Sequence, residues 1–285
     1  SGASHVGLVG GADRLLNIPT NSPTDYFAYC SDASLEQTLG LTFPGVFALI
    51  ARAHMEKYGT TEEQMAHVAV KNHRHGALNP KAQFRKEITL DTVLKSAYVA
   101  DPLKLFDCCP FTDGGAAIVL ASEEVARRHR RPIWVLGSQA ATDTMFVHEK
   151  RDLARVTATE RAAQGAYRQA GKTPADVDVV ELDDCFTIAE IVATEGLGFF
   201  QPGTGGLAAE KGWTSLGGRL PVNPSGGLKA KGHPIGATGA AQIAEIVTQL
   251  RGEAGPRQVE GACTGLTHTL GGNTATVVVS LFGRG

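Results

Sequence analysis

Apolar residues along the chain follow two spacings, short continuous runs typical of strands and three-to-four-residue repeats typical of amphipathic helices. The short runs predict strands at 6–11, 116–120, 133–136, 177–182, near Cys263 and at 276–281. The helical repeats predict helices at 44–58, 61–73, 122–130, 159–170, 187–197 and 234–250. We expect the first two strands to be buried, as in a parallel sheet. Strands that alternate with helices predict an α/β layered fold.

The predicted elements fall into two halves that meet at the basic, proline-ended run at 128–132. We therefore predict one domain over residues 1–130 and a second over residues 131–285. The first contains an inserted loop domain at about 13–103, which begins with a turn-rich stretch at 17–23. Each half ends in a short apolar strand after a glycine-rich turn, which is typical of a duplicated α/β unit.

Composition narrows the class of protein. The 285 residues are 42% hydrophobic and 20% charged with a net charge of -2, which argues against disorder and against a broadly basic nucleic-acid surface. No apolar run approaches the roughly 20 residues of a membrane span. An odd number of cysteines and no leader pattern favour a reducing compartment, so we predict a cytoplasmic protein. His73 and His75 lack a partner at ligand spacing, and we predict no metal site.

The glycine-rich stretch at 223–239 carries a single histidine, His233. Pro234 suits the first position of a helix, which would place His233 at a helix N-terminus, where the dipole lowers the imidazole pKa and favours a neutral ring. A neutral imidazole can act as a base or as a hydrogen-bond donor. Glycines allow a ligand to approach closely, and free amides at the helix end can meet an oxyanion. The alternative is a tight turn that His233 merely caps.

A second candidate site follows the predicted strand at 177–182, where Asp183, Asp184 and Cys185 precede a helix. Strand ends of this kind are where sites collect in α/β folds. Cys185 would be a reactive thiolate if it faced the helix terminus. Otherwise it is an inert buried cysteine, and one of the aspartates caps the helix. His268 is expected in a glycine-flanked turn, either lining the His233 pocket or shaping the turn alone.

At these motifs the chain resembles the thiolase superfamily, most closely the thiolases of the sterol carrier protein X type. The stretch 223–239 resembles that family's Gly-His-Pro motif and its surroundings. Further similarity covers most of the chain. It lies at residues 58–60, 71–73, 79–80, 108–110, 113–114 and 250–259.

The resemblance implies a five-layer α-β-α-β-α fold of two similar halves, the first incomplete here, and a homodimer. It also implies acyl transfer on 3-oxoacyl-CoA, by thiolysis or Claisen condensation in lipid or sterol metabolism, with coenzyme A as a substrate and no tightly bound cofactor. His233 matches the histidine that activates the nucleophile and holds the oxyanion, and Cys185 matches the acid/base cysteine. We assign the remaining candidates to the same site. The oxyanion or pocket candidates are Asp183, Asn223, His268 and Gly271, and the candidates for binding coenzyme A are Ser225, Gly226 and Lys229.

Two departures from the family leave three functions open. Asp183 stands where the family's His-Asp-Cys-Phe motif has its first histidine, and an ionised carboxylate repels an oxyanion. The family's nucleophilic cysteine precedes the strand that resembles 6–11, so the resemblance places it before these residues. The leading prediction is an acetyl-CoA C-acyltransferase-like thiolase. The alternatives are a thiolase-like retro-aldolase of steroid side-chain thioesters with a small OB-fold partner, and a non-catalytic acyl-CoA-binding subunit.

Overall fold

Helices and strands alternate along most of the chain. The computed structural model describes residue 2 and residues 4–17 and 26–285, so the turn-rich stretch at 17–23 lies almost wholly outside the described residues. The strands are β1 (Val6–Asp13), β2 (Tyr98–Ala100), β3 (Leu103–Lys104), β4 (Gly114–Ala121), β5 (Ile133–Thr142), β6 (Val179–Leu182), β7 (Thr264–Gly271) and β8 (Thr276–Arg284). The helices are α1 (Phe43–Tyr58), α2 (Glu62–Ala77), α3 (Leu90–Leu94), α4 (Glu123–Ala126), α5 (Thr157–Ala170), α6 (Thr187–Gly196), α7 (Gly205–Glu210), α8 (Gly227–Ala230) and α9 (Ile235–Arg251).

Most predicted elements are confirmed, because their signals are local. The start of α2 is an example, since Thr61 accepts the amide of Gln64 and the Gln64 side chain accepts the amide of Thr61 in a capping box. β5 runs six residues beyond the predicted end at 136. The charged helix predicted at 122–130 is only the four residues of α4. Its (i, i+4) ion pairs are exposed and contribute little to helix length.

The four-stranded sheet has the order β5-β8-β7-β6 and is mixed. β6 and β7 are parallel, with Leu182 opposite His268, whereas β8 is antiparallel to both of its neighbours. The parallel pair brings the carboxyl end of β6 beside the middle of β7. The residues that follow β6 therefore start at a sheet edge, as expected for an α/β site.

The prediction of buried parallel strands at 6–11 and 116–120 was wrong. β1 and β4 form a two-stranded antiparallel ribbon, with Leu8 opposite Val119. These two side chains are 76% and 68% exposed. The other ribbon face packs on α9, where Gly11 comes so close to Gly236 that a side chain would not fit. An apolar run marks a strand, but it does not say whether another layer covers both of its faces.

Two cores lie on opposite faces of the four-stranded sheet. The small core under α9 contains Val179, Ile246 and Phe282, and α9 also contacts the ribbon, so it separates the two sheets. The larger core joins α5 and α6 to the opposite face, and α1 and α2 pack into it through Phe47 and Met65. The helices and the two sheets form layers, as the predicted α/β fold requires. The division at residue 130 stays a prediction.

Candidate active site

The loop between β6 and α6 places two carboxyl groups and a thiol in the interior. Asp183, Asp184 and Cys185 are at most 5% exposed. The amide of Asp183 donates to the carbonyl of His268 (3.1 Å), which extends the parallel pairing by one step. The Asp183 carboxyl then turns back to accept the amide of Cys185 (3.2 Å). The end of β6 thus places Asp183 and Cys185 side by side in the interior.

Cys185 is a protonated thiol rather than a thiolate. Burial, followed by the negative charge of Asp183, raises its pKa well above the usual range. The Cys109 thiol is affected in the same way, since burial and then Asp183 raise its pKa. Closeness to a helix terminus does not outweigh these effects. A buried neutral thiol is suited to give up a proton to a carbanion or a leaving thiolate.

His233 presents one ring nitrogen for chemistry. Its Nδ1 lies 2.7 Å from the Thr238 hydroxyl, which itself donates to the Pro234 carbonyl (3.1 Å). Because the Thr238 hydroxyl donates its proton to that carbonyl, it accepts the hydrogen bond from Nδ1–H of His233. Nε2 is then the ring nitrogen that carries the lone pair. No described residue forms a hydrogen bond with Nε2. Burial lowers the pKa of His233, although the charge of Asp183 opposes this, so the ring is a neutral base.

The backbone around His233 differs from the predicted helix start. Pro234 is the N-cap, and Ile235 is the first helical residue. His233 instead pairs with Phe111 in a parallel bridge, and its amide donates to the Thr112 hydroxyl (3.0 Å). Gly232, at a φ of 115°, lies so close to Thr112 that a Cβ would come within 2.7 Å of its hydroxyl. This close contact explains the glycine before His233.

One short segment, residues 108–111, connects Cys185 and His233, and we call it the connecting segment. In residues 108–111, Cys108 pairs with Phe186 and the amide of Cys109 donates to the Cys185 carbonyl (2.9 Å). Two residues further on, Phe111 pairs with His233. Two extended residues span about 7 Å. The backbones of Cys185 and His233 are thus held at neighbouring points along the same segment.

The polar residues at the start of the glycine-rich stretch face inward rather than toward a ligand. Asn223 accepts the Leu182 amide (2.9 Å) and donates to Glu190 (3.0 Å). The Ser225 hydroxyl donates to Glu181 (2.7 Å). These side chains anchor the stretch to β6 and α6. The expected roles of Asn223 as an oxyanion donor and of Ser225 in coenzyme A binding find no support in these contacts.

Gly226 and Lys229 also belong to the scaffold. Gly226, at a φ of 101°, packs against Gly76 of α2, where a Cβ would lie 2.7 Å from the Gly76 Cα. The Lys229 ammonium donates to the Cys108 carbonyl (2.8 Å) and lies 5.5 Å from the centre of the Phe106 ring. Its side chain is buried. It supports the connecting segment and is not exposed to meet a phosphate.

His268 lies within β7 and not in a turn. Its Nε2 is 2.9 Å from the Thr159 hydroxyl, and burial lowers the pKa of the ring to about 4. The charge of Asp183 acts on His268, so the ring belongs to the surroundings of Asp183. Gly271 is the last residue of β7 and is exposed, about 10 Å along the strand from His268.

A buried polar network beneath the site was not foreseen. The Asp184 carboxyl accepts the amides of Leu228 (2.6 Å) and Lys229 (3.2 Å) and the side-chain amide of Asn72 (2.7 Å). Lys71 forms an ion pair with Glu190 (2.9 Å), which also accepts Asn72 (3.1 Å). The signal in the sequence was the matched motif at 71–73, but spacing alone does not reveal its partners.

His75 continues this network on the other side of the glycine-rich stretch. Its Nδ1–H donates to the Asn223 carbonyl (3.0 Å) and its Nε2 accepts the Leu216 amide (3.1 Å), which fixes a neutral tautomer. Burial, followed by the charge of Lys71, lowers its pKa to about 3. The glycine-rich stretch is therefore held on both sides by fully buried partners.

Two family models of known proteins match the chain. Residues 1–124 match the family model for the thiolase N-terminal domain, and residues 139–284 match the one described as thiolase C-terminal domain-like. The chain belongs to the thiolase family. Its thiolase fold is the α/β arrangement described above, as the resemblance implied.

Relatives within the thiolase family differ in how much of their length this chain covers. It is 48% identical over its whole length to the acetyl-CoA acetyltransferase of Methanothermobacter thermautotrophicus, of which it spans 74%. It is 43% identical over 82% of its length to sterol carrier protein 2 of Oryctolagus cuniculus, of which it spans 44%. Among solved structures, one titled Ltp2-ChsH2(DUF35) aldolase matches 98% of the chain with a TM-score of 0.85 and 28% identity, and the chain covers 72% of it.

Neither a metal cluster nor a membrane-spanning helix is found among the described residues. Over residues 2, 4–17 and 26–285, no group of three or more histidine, cysteine or carboxylate residues is arranged to hold a metal ion. In the same part of this thiolase-family chain, no helix has both the length and the apolar character needed to cross a bilayer.

Proposed function

We propose that this chain supplies the acid–base groups of an acyl-CoA acyltransferase that cleaves or forms 3-oxoacyl-CoA thioesters. The observation that carries the proposal is the pair of groups on the connecting segment, a neutral thiol at Cys185 and a lone pair at Nε2 of His233. In thiolysis, Nε2 accepts the proton of the attacking thiol and, once protonated, donates to the thioester oxyanion. Cys185 gives its proton to the departing α-carbon, and in condensation it takes that proton back.

The nucleophile is a separate requirement of this chemistry. Burial and the charge of Asp183 raise the pKa of Cys109 and of Cys185, so both thiols stay protonated. Burial raises the pKa of Cys108 to about 12. Cys263 lies at the opposite end of β7. None of these four thiols is placed to form the acyl-enzyme. The test of the proposal should therefore follow a step that needs only the acid and the base.

That step is the exchange of α-protons of acetyl-CoA or acetoacetyl-CoA with deuterated water, followed by NMR. We expect the wild-type chain to catalyse exchange, and His233→Ala and Cys185→Ala each to lower the rate by about 100-fold or more. His5→Ala is the matched control, because His5 is exposed and lies outside the candidate site, and this variant should leave the rate unchanged. Equal rates in wild type and Cys185→Ala would refute the assignment of the acid. Tight binding of acyl-CoA without any exchange would favour the non-catalytic subunit.

A second candidate is retro-aldol cleavage of a 3-hydroxyacyl thioester. Asp183 favours it, because a buried carboxyl beside Cys185 opposes an oxyanion yet can accept the proton of a substrate hydroxyl. Loss of that proton breaks the bond between the α- and β-carbons, a carbonyl product leaves, and Cys185 protonates the thioester enolate. The similarity to the aldolase structure, at 28% identity, supports the same candidate.

Substitution of Asp183 separates the two candidates. If the chain is an acyltransferase, Asp183→His removes the repulsion and raises the rate of α-proton exchange. If it is an aldolase, Asp183→Asn abolishes cleavage of a 3-hydroxyacyl-CoA, measured with and without a small OB-fold partner protein. Coenzyme A as a substrate without a tightly bound cofactor, homodimerisation and a cytoplasmic location are further parts of the proposal, and size measurement and fractionation test the last two.

A further inference from the structure

A groove lined by basic side chains lies at the end of the four-stranded sheet where β7 begins, away from Asp183. It runs between the connection from α4 to β5, the end of α9 and the end of β8, and encloses about 1000 Å³. No aspartate or glutamate side chain lines it among the described residues. Its basic side chains are Arg127, Arg130, Arg131, Arg251 and Arg284, and His129 lines it beside them.

Most of this positive charge is not neutralised within the protein. Arg127 pairs with Glu123, and Arg131 lies 3.8 Å from Glu253. In the described part of the chain, the other three guanidinium groups have no carboxylate within 4.0 Å. Because the whole chain has a net charge of -2, this is a local concentration of positive charge. Like charges gathered in one groove indicate an anionic ligand.

Several of these guanidinium groups are held in position. Arg251 donates to the Arg131 carbonyl and Arg131 donates to the Arg251 carbonyl, both at 3.1 Å, which joins the two walls. Arg284 donates to the sulfur of Cys263 (3.1 Å). A guanidinium has five N–H donors, and these contacts use only one or two. The remaining donors are pre-organised for a ligand with several acceptor oxygens.

The floor of the groove adds a planar apolar surface. Trp134, Ile133 and Leu250 line it, and the Arg127 guanidinium lies 5.8 Å from the centre of the Trp134 ring. Arginine forks match phosphate oxygens, and an indole face stacks on a planar base. A volume of this size suits a small ligand. We propose that the groove binds a nucleoside carrying two or more phosphate groups, either a free nucleotide or the nucleotide part of coenzyme A.

Tryptophan fluorescence provides the test. The chain has two tryptophans, so Trp213→Phe leaves Trp134 as the only reporter. We expect ADP to quench it saturably, and Arg130→Ala and Arg284→Ala each to weaken binding by about tenfold or more. Arg161→Ala is the matched control, an exposed arginine of α5 outside the groove, and should bind as the parent does. Tighter binding of coenzyme A than of ADP, with the same sensitivity to the groove variants, would identify coenzyme A as the source.

Alkylation of Cys263 gives a second measurement that needs no variant. This thiol is exposed in the groove, and ADP should slow its reaction with iodoacetamide, followed by peptide mass spectrometry. The proposal fails if neither ADP nor coenzyme A gives a saturable signal, if Arg161→Ala weakens binding as much as the groove variants, or if Cys263 is not protected. Binding of an acidic peptide in place of ADP would also overturn it.

Discussion

Replacing Asp184 by asparagine tests whether a buried carboxylate holds the glycine-rich stretch in place. One oxygen of Asp184 accepts the Leu228 amide, and the other accepts the Lys229 amide and the Asn72 side chain. Asparagine keeps one acceptor and turns an NH₂ group toward the two donors at the other. A flip of Asn72 does not help, because its oxygen already accepts from Lys71 (2.6 Å).

The size of the effect follows from the two donors that lose their acceptor. A buried unsatisfied donor costs about 1–3 kcal/mol, so the pair gives about 2–6 kcal/mol. Relief of the repulsion with Glu190 offsets part of this, and we expect a loss of about 3 kcal/mol in the free energy of unfolding. The comparison belongs at pH 8, because burial and then Glu190 raise the pKa of Asp184 to about 7.

Urea unfolding followed by tryptophan fluorescence measures this loss. Asp91→Asn is the matched control, since Asp91 forms only an exposed ion pair with Lys95, and its unfolding midpoint should match wild type. Asp184→Asn should also slow any reaction that depends on His233, because the stretch that carries His233 is loosened. A variant that unfolds at the wild-type urea concentration would refute the role given to Asp184.

Three further predictions concern stability. His75 is neutral when buried, with a pKa near 3, whereas an unfolded histidine takes up a proton below about 6.5; stability should therefore fall as pH drops from 6.5 toward 3, and unfolding midpoints of His75→Gln should show a shallower fall. Leu266→Ala, in the fully buried core, should lose about 2–5 kcal/mol in denaturant unfolding, while exposed Leu39→Ala should match wild type. Gly227→Ala forces a Cβ against the Asp184 carboxyl at a φ of 60° and should lower the melting temperature in calorimetry.

The sequence predicts best what depends on neighbours in the chain. The apolar period of α9 and the cap of α2 at Thr61 depend on adjacent residues, so both ends of α9 and the start of α2 are predicted to within one residue. β1 shows the limit. Its apolar run identifies a strand. The run does not show that the strand pairs with β4 or that its outer face is exposed, because both depend on residues far away in the sequence.

The candidate site shows the same limit in its side chains. His233 and Cys185 stand out by motif, but the direction of Asn223 and Lys229 depends on Glu190 and on the Cys108 carbonyl, which come from distant parts of the chain. The charge state of Cys185 likewise depends on burial and on Asp183 and not on its place before a helix. These side-chain directions and this charge state depend on tertiary contacts, so the spacing of residues in the sequence could not predict them.

The connecting segment has a consequence for how the protein folds. The bridge from Phe111 to His233 and the bond from Cys109 to Cys185 join parts of the chain that are far apart in sequence. Closing such long loops is entropically unfavourable until many other contacts have formed, and folds rich in distant pairings reach the native state slowly. The helices can form early on local signals, whereas Cys185 and His233, the proposed acid and base, come together only when the two halves have docked. The proposed site therefore forms late in folding and is absent from any intermediate in which one half alone is ordered.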